Sequence, residues 1–70
     1  MPRAVKISKI FRVLEKIGFK AVRQKGSHIF YQHPDGRTTL VPNHKEIRVK
    51  LLLKICKDTG LEKEDFLKLL

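Results

Sequence analysis

The sequence predicts an α+β domain of two layers, a three-stranded antiparallel sheet with helices on one face. Three observations carry that expectation. An apolar stripe of helical period lies near the start, three short β-prone segments separated by glycine-bearing turns fill the middle, and a second helical stripe follows. Seventy residues make one domain, residues 1–70, and a chain this short buries only about 60% of its unfolded surface.

Residues 7–17, ISKIFRVLEKI, carry apolar side chains at 7, 10, 11, 14 and 17, the stripe of an amphipathic helix. Ser8 suits its N-cap and Gly18 its C′ position, with Lys9, Arg12 and Lys16 on the opposite face. Residues 19–25, FKAVRQK, alternate loosely and read as a strand, and Lys25-Gly26 turns the chain. Residues 27–33, SHIFYQH, form a second strand. Alternation puts His28, Phe30 and Gln32 on one face and Ile29, Tyr31 and His33 on the other. Both faces hold an aromatic, so the pattern alone leaves open which one meets the core. Pro34-Asp35-Gly36 turns the chain into a third strand, 37–42, ended by Pro42.

A second helix is expected over 46–58, with Ile47 or Val49, Leu52, Ile55 and Cys56 as its buried stripe. Asn43 with Glu46 reads as a capping-box variant, which allows a start as early as His44. Gly60 ends that helix, with Leu61 as the apolar contact of a Schellman-type stop. A short last helix, 62–69, opens on Glu62, Glu64 and Asp65, acids that suit a helix N-terminus. The order is α-β-β-β-α-α. One sheet face has no cover in this scheme and is either exposed or binds something.

Charge is the strongest compositional signal. Sixteen Lys and Arg oppose seven Asp and Glu, for a net +9. Residues 1–57 hold fourteen of those cations and three of the acids, or +11. Such a domain attracts polyanions by counterion release, whatever its fold. Nothing is apolar for long enough to span a membrane, and the first residues, MPRAVKISKI, lack the apolar region of a signal peptide. A cytoplasmic protein without membrane or small-molecule cofactor is expected. The single cysteine, Cys56, excludes an internal disulfide and a cysteine-based zinc site, and reads as a small core residue. His28, His33 and His44 match no metal-ligand spacing, and the scattered acids argue against a two-metal nuclease.

The stretch KGSHIFYQH, residues 25–33, concentrates the chemistry. Histidine exchanges protons near neutrality. RNA cleavage needs a base for the 2′-OH proton or an acid for the leaving 5′-oxygen, with cations around the phosphorane. His28 suits the first task, and Lys25 with Arg23 the second. Gly26 permits close backbone approach, and Ser27 offers a hydroxyl. The plainer alternative for His28 is a packed or surface histidine. His33, before Pro34, reads as structural, and His44 as capping or surface. The cations Lys9, Arg12 and Lys16 either track a phosphate backbone or form a solvated helix face. Tyr31 either stacks on a base or lies half-buried on the sheet. Phe11, Phe19, Phe30 and Phe66 read as core.

The motifs in order resemble the HicA family of small toxins, also described as YcfA-like. The resemblance runs from about Ile7 to Phe66. It rests on Leu14-Glu15-Lys16-x-Gly18-Phe19, Arg23-Gln24-Lys25-Gly26-Ser27-His28 with an aromatic two residues on, His33-Pro34-Asp35-Gly36-Arg37, Val41-Pro42-Asn43-His44, and Gly60-Leu61 before an acidic turn leading to Phe66. It implies a double-stranded-RNA-binding-like α-β-β-β-α fold and a ribosome-independent, mRNA-cleaving toxin of a toxin–antitoxin pair; with the scattered acids, the expected activity is that of a metal-independent endoribonuclease. It further implies that the histidine of the Gly-Ser-His motif, His28, is catalytic, and that a HicB-type antitoxin covers it. The sequence departs from the family at Val49-Lys50-Leu51, where Pro-Gly or Gly-Thr often leads into the last long helix, and at His28-Ile29, where a histidine doublet is common. Two other classes stand beside this one. A non-catalytic RNA-binding module suits the same fold and charge, and a DNA-contacting regulator would use residues 46–58.

Overall fold

A computed structural model describes residues 3–70. The elements in chain order are β1 (Ala4–Lys6), α1 (Ile7–Lys16), β2 (Lys20–Lys25), β3 (His28–Gln32), β4 (Thr38–Pro42), β5 (Glu46–Arg48), α2 (Val49–Thr59) and α3 (Lys63–Leu69). The expected α+β architecture is present. Strands β2, β3 and β4 form an antiparallel sheet in that order, with α1 and α2 on one face. Tyr31 marks that face by stacking on Phe11 of α1, ring centroids 5.8 Å apart. Thr39, directly opposite Tyr31, donates its hydroxyl proton to Asp58 of α2 at 3.0 Å. The core is built from Ile10, Val13 and Leu14 of α1, Ile29, Tyr31 and Val41 of the sheet, Leu52, Ile55 and Cys56 of α2, Phe66 of α3, and Phe19 from the connection after α1.

Two strands were absent from the sequence expectation. β1 and β5 pair antiparallel as a short ribbon, Ala4 with Arg48 and Lys6 with Glu46. The second helix therefore begins at Val49, not between His44 and Glu46. The capping box does not form; the Asn43 backbone N–H instead donates to the Ser27 carbonyl. Ser8 is not a cap either. The N-cap lies two residues earlier, at Lys6, with no side-chain bond there. Both helices take their first hydrogen bond from the ribbon: Ile7 N–H donates to the Lys45 carbonyl and Val49 N–H to the Arg3 carbonyl. The ladder runs one residue past each strand and replaces the missing caps.

The helix ends match expectation. Gly18 adopts φ +101°, its N–H donates to the Glu15 carbonyl, and Phe19 N–H reaches back to Leu14. That is the full Schellman pair, with Phe19 and Leu14 both fully buried. At the end of α2, Gly60 donates to Lys57 but the second bond is relayed. The buried Thr59 hydroxyl accepts from Leu61 N–H and donates to the Cys56 carbonyl at 2.6 Å. Cys56 is the core residue expected, with burial pushing its thiol pKa up.

The β3–β4 turn is fastened to α2. Gly36 N–H donates to the His33 carbonyl around Pro34-Asp35, a type I turn with Pro at its second position. Arg37 binds Asp35, places its guanidinium 5.4 Å from the centre of the Phe19 ring, and donates to the Thr59 carbonyl at the α2 C-terminus. A cation suits the partial negative charge there. His33 is half-buried at this end, edge-on to Phe19 at 5.3 Å.

Candidate nucleic-acid interface

The uncovered face of the sheet is the one His28 occupies. The register sets three rows of directly opposed residues across it. They are Lys25–His28–Pro42, Arg23–Phe30–Leu40 and Lys20–Gln32–Thr38. Directly opposed side chains in an antiparallel pair have Cβ atoms about 4.5–5.5 Å apart, so Lys25 stands beside His28 and Arg23 beside Phe30. No carboxylate lies in these rows. The nine positions carry three cations and one histidine, which makes the face electropositive.

A bulge in β2 creates this alignment. Ala21 opposes Tyr31 and Arg23 opposes Phe30, so Val22 is an extra residue without a partner. In a regular strand Val22 would oppose Phe30, Arg23 would oppose Ile29 toward the helices, and Lys25 would follow it. The inserted residue shifts the side-chain alternation by one. It turns Arg23 and Lys25 outward, to the face of His28, and leaves Val22 58% exposed on the sheet edge. The loose alternation in FKAVRQK is the sequence trace of this bulge.

The hairpin that presents His28 is closed by the Lys25–His28 pair, with Gly26-Ser27 as a two-residue loop. Gly26 has φ +59° and no non-glycine residue has positive φ, which identifies a type II′ turn. Only glycine takes its first position without strain. Two further bonds hold the loop: the Gln24 side chain donates to the Gly26 carbonyl at 3.0 Å, and Asn43 N–H donates to Ser27. His28 is exposed, and among the described residues no side chain hydrogen-bonds its ring. Both imidazole nitrogens are therefore open to a ligand.

The expected site residues thus separate into two groups. Arg23, Lys25, Gly26, Ser27 and His28 come together on the outer sheet face. Lys9, Arg12 and Lys16 lie on the exposed side of α1, whose other side packs beneath the sheet. They belong to the helical layer on the opposite side of the sheet from His28. His44 is exposed in the β4–β5 loop and caps no helix. Tyr31 is only 4% exposed and faces the core, which removes it as a base-stacking residue. Burial raises the pKa of its phenol, with the Glu15 charge adding to the shift. The expectation that Phe30 is core is corrected in the opposite sense. It sits half-exposed on the outer face, with the Arg23 guanidinium 4.6 Å from its ring centre. Its i, i+2 spacing from His28 was the available signal, but the aromatic on each face masked it.

Among the described residues no helix is long and apolar enough to cross a membrane. A search of curated proteins finds no match. A family model described as the HicA toxin of bacterial toxin–antitoxin systems matches residues 7–61, from the first residue of α1 to just past the glycine that ends α2. That span contains the His28 hairpin, the whole outer face and both turn motifs, and the chain belongs to the HicA toxin family of toxin–antitoxin systems.

Proposed function

We propose that this toxin is a metal-independent endoribonuclease that cuts mRNA, with His28 as its proton-transfer group. The placement of His28 supports this reading most directly. It is the first residue of β3, open to solvent, directly opposite Lys25 on a cationic face free of carboxylates. A phosphodiester lying across the Lys25–His28 row meets an imidazole and an ammonium together. The neutral imidazole takes the proton of the 2′-OH as that oxygen attacks the adjacent phosphorus. The new 2′-O–P bond closes a cyclic phosphate, the P–O5′ bond breaks, water on this open face protonates the departing 5′-oxygen, and the hydroxide left takes the proton back from the imidazolium. Lys25 and Arg23 neutralise the charge that builds on the phosphorane oxygens. The tight glycine turn and the Ser27 hydroxyl shape the approach.

The partner in this reading is an antitoxin of HicB type that covers the outer face and so blocks the histidine. The testing experiment is RNA integrity after induced expression of the wild type and of His28→Ala, with the fold of the variant verified by circular dichroism. The wild type is expected to arrest growth and fragment mRNA, and the folded variant to do neither. Equal fragmentation by both removes His28 from the mechanism. Intact RNA with both, alongside salt-sensitive RNA binding in vitro, favours a non-catalytic RNA-binding module on the same face.

A further inference from the structure

Phe30 is placed unlike the other three phenylalanines. Phe19 and Phe66 are fully buried, and Phe11 packs against the core. Phe30 belongs to neither group and stands on the one sheet face that no helix covers. A shallow hollow of about 320 Å³ beside it is lined by Val22, Arg23, Phe30, Tyr31, Gln32 and Thr38. Its ring carries the Arg23 guanidinium, a contact that an exposed arginine on an edge strand makes and breaks at little cost.

We infer that Phe30 is the stacking seat for a nucleobase of single-stranded RNA, and that Arg23 occupies the seat until a base moves it to a phosphate. The inference rests on the RNA reading of this face and adds the contact that charge cannot provide. Each nucleobase has an apolar π-face, and aromatic side chains on open sheets bind bases without needing a particular sequence. The register supplies the geometry. His28 and Phe30 are two residues apart on one face, about 7 Å by the rise of a strand. Lys25 flanks the first and Arg23 the second. The Lys25–His28 row meets a phosphate while the Arg23–Phe30 row meets the base beside it. Charge complementarity favours this occupant, because the rows hold Lys20, Arg23 and Lys25 and no acid.

The test compares two single-stranded decamers by fluorescence anisotropy, one of uridine and one of abasic ribose phosphates with the same charge. Binding is measured on the full chain carrying His28→Ala to keep RNA whole, with and without Phe30→Leu and Phe30→Tyr. Thermal melts verify that each variant is folded. Stacking predicts that uridine binds at least about fivefold tighter than the abasic strand. Phe30→Leu should remove that preference while leaving abasic binding unchanged, and Phe30→Tyr should keep it. Equal affinity for the two strands, or a preference that survives Phe30→Leu, overturns the assignment. Loss of the preference in the leucine variant upholds the seat even if the wild-type chain cuts no RNA, in which case catalysis alone fails. Absence of binding to either strand overturns the RNA reading and the seat together.

Discussion

On the proposed RNA reading of the outer face, the salt dependence of binding counts the phosphates held. Three cations occupy the uncovered rows, Lys20, Arg23 and Lys25. Each phosphate neutralised on a single strand contributes about −0.7 to the slope of log K against log salt, so three contacts give a slope of about −2. Affinity for a uridine decamer should fall about twentyfold between about 50 and 200 mM salt. Lys25→Gln in the His28→Ala chain should reduce the slope to about −1.4, a fall of about sevenfold over the same range. Fluorescence anisotropy titrations at four or five salt concentrations measure both slopes. Lys9→Gln should leave the slope unchanged, because Lys9 lies on α1, on the other side of the molecule. A slope near −4 would mean that Lys9, Arg12 and Lys16 contribute as well. A slope lowered by Lys9→Gln but not by Lys25→Gln would refute the sheet face as the binding surface.

Two stability predictions follow from the end of the domain far from His28. Gly18→Ala places a methyl group 2.8 Å from His33 Nε2 at φ +101°, and should cost about 2–4 kcal/mol, lowering Tm by about 10–30 °C; a fall of less than about 4 °C would show that the backbone and ring yield freely. The Arg37 backbone N–H, and then its guanidinium, hold the Asp35 carboxyl below the ordinary carboxylate range. A depressed folded pKa gives stability that is present above the unfolded value and lost as pH falls through the folded one. Urea melts should therefore show Asp35→Asn less stable than the wild type at neutral pH, with the gap closing below about pH 4. A constant gap down to strongly acid pH would exclude the carboxylate as its source.

The three-stranded sheet was legible in the sequence because its turns are chemically explicit. Gly26 and Pro34-Asp35-Gly36 each demand a particular backbone shape, and the strands between them had little freedom to be placed elsewhere. The helix ends at Gly18 and Gly60 were legible for the same reason. The helix starts were not. Ala4–Lys6 and Glu46–Arg48 are three residues each, and each holds one fully inward apolar side chain, Val5 or Ile47. Such a segment has no period to detect. Ile47 also falls in step with Leu51 and Ile55, at i+4 and i+8, so its strand merged with the helical stripe that follows. A cap motif at Asn43–Glu46 reinforced the error, because nothing local reveals that Asn43 is bound to Ser27. His28 and its neighbouring cations were singled out by residue type. Their common face depends on the unpaired Val22, and a bulge is specified by the partner strand as much as by its own residues. Phe30 was misplaced because alternation separates two faces without saying which one the helices cover.

The β1–β5 ribbon makes the beginning of each long helix depend on a segment far away along the chain. Ile7 begins α1 against Lys45, and Val49 begins α2 against Arg3. The ribbon closes a ring of chain from Ala4 to Arg48 that contains α1 and the entire sheet. Closing a ring of that length costs entropy that three residue pairs repay only once α1 and the sheet have already brought their ends together. On this reckoning the clasp is expected to form late in folding and to open early. Its opening should fray both helices at their first turns, and hydrogen exchange should then find the amides of Ile7 and Val49 exchanging with solvent as one unit. A disturbance at residues 3–6 is felt at the head of α2 as directly as a disturbance within α2 itself.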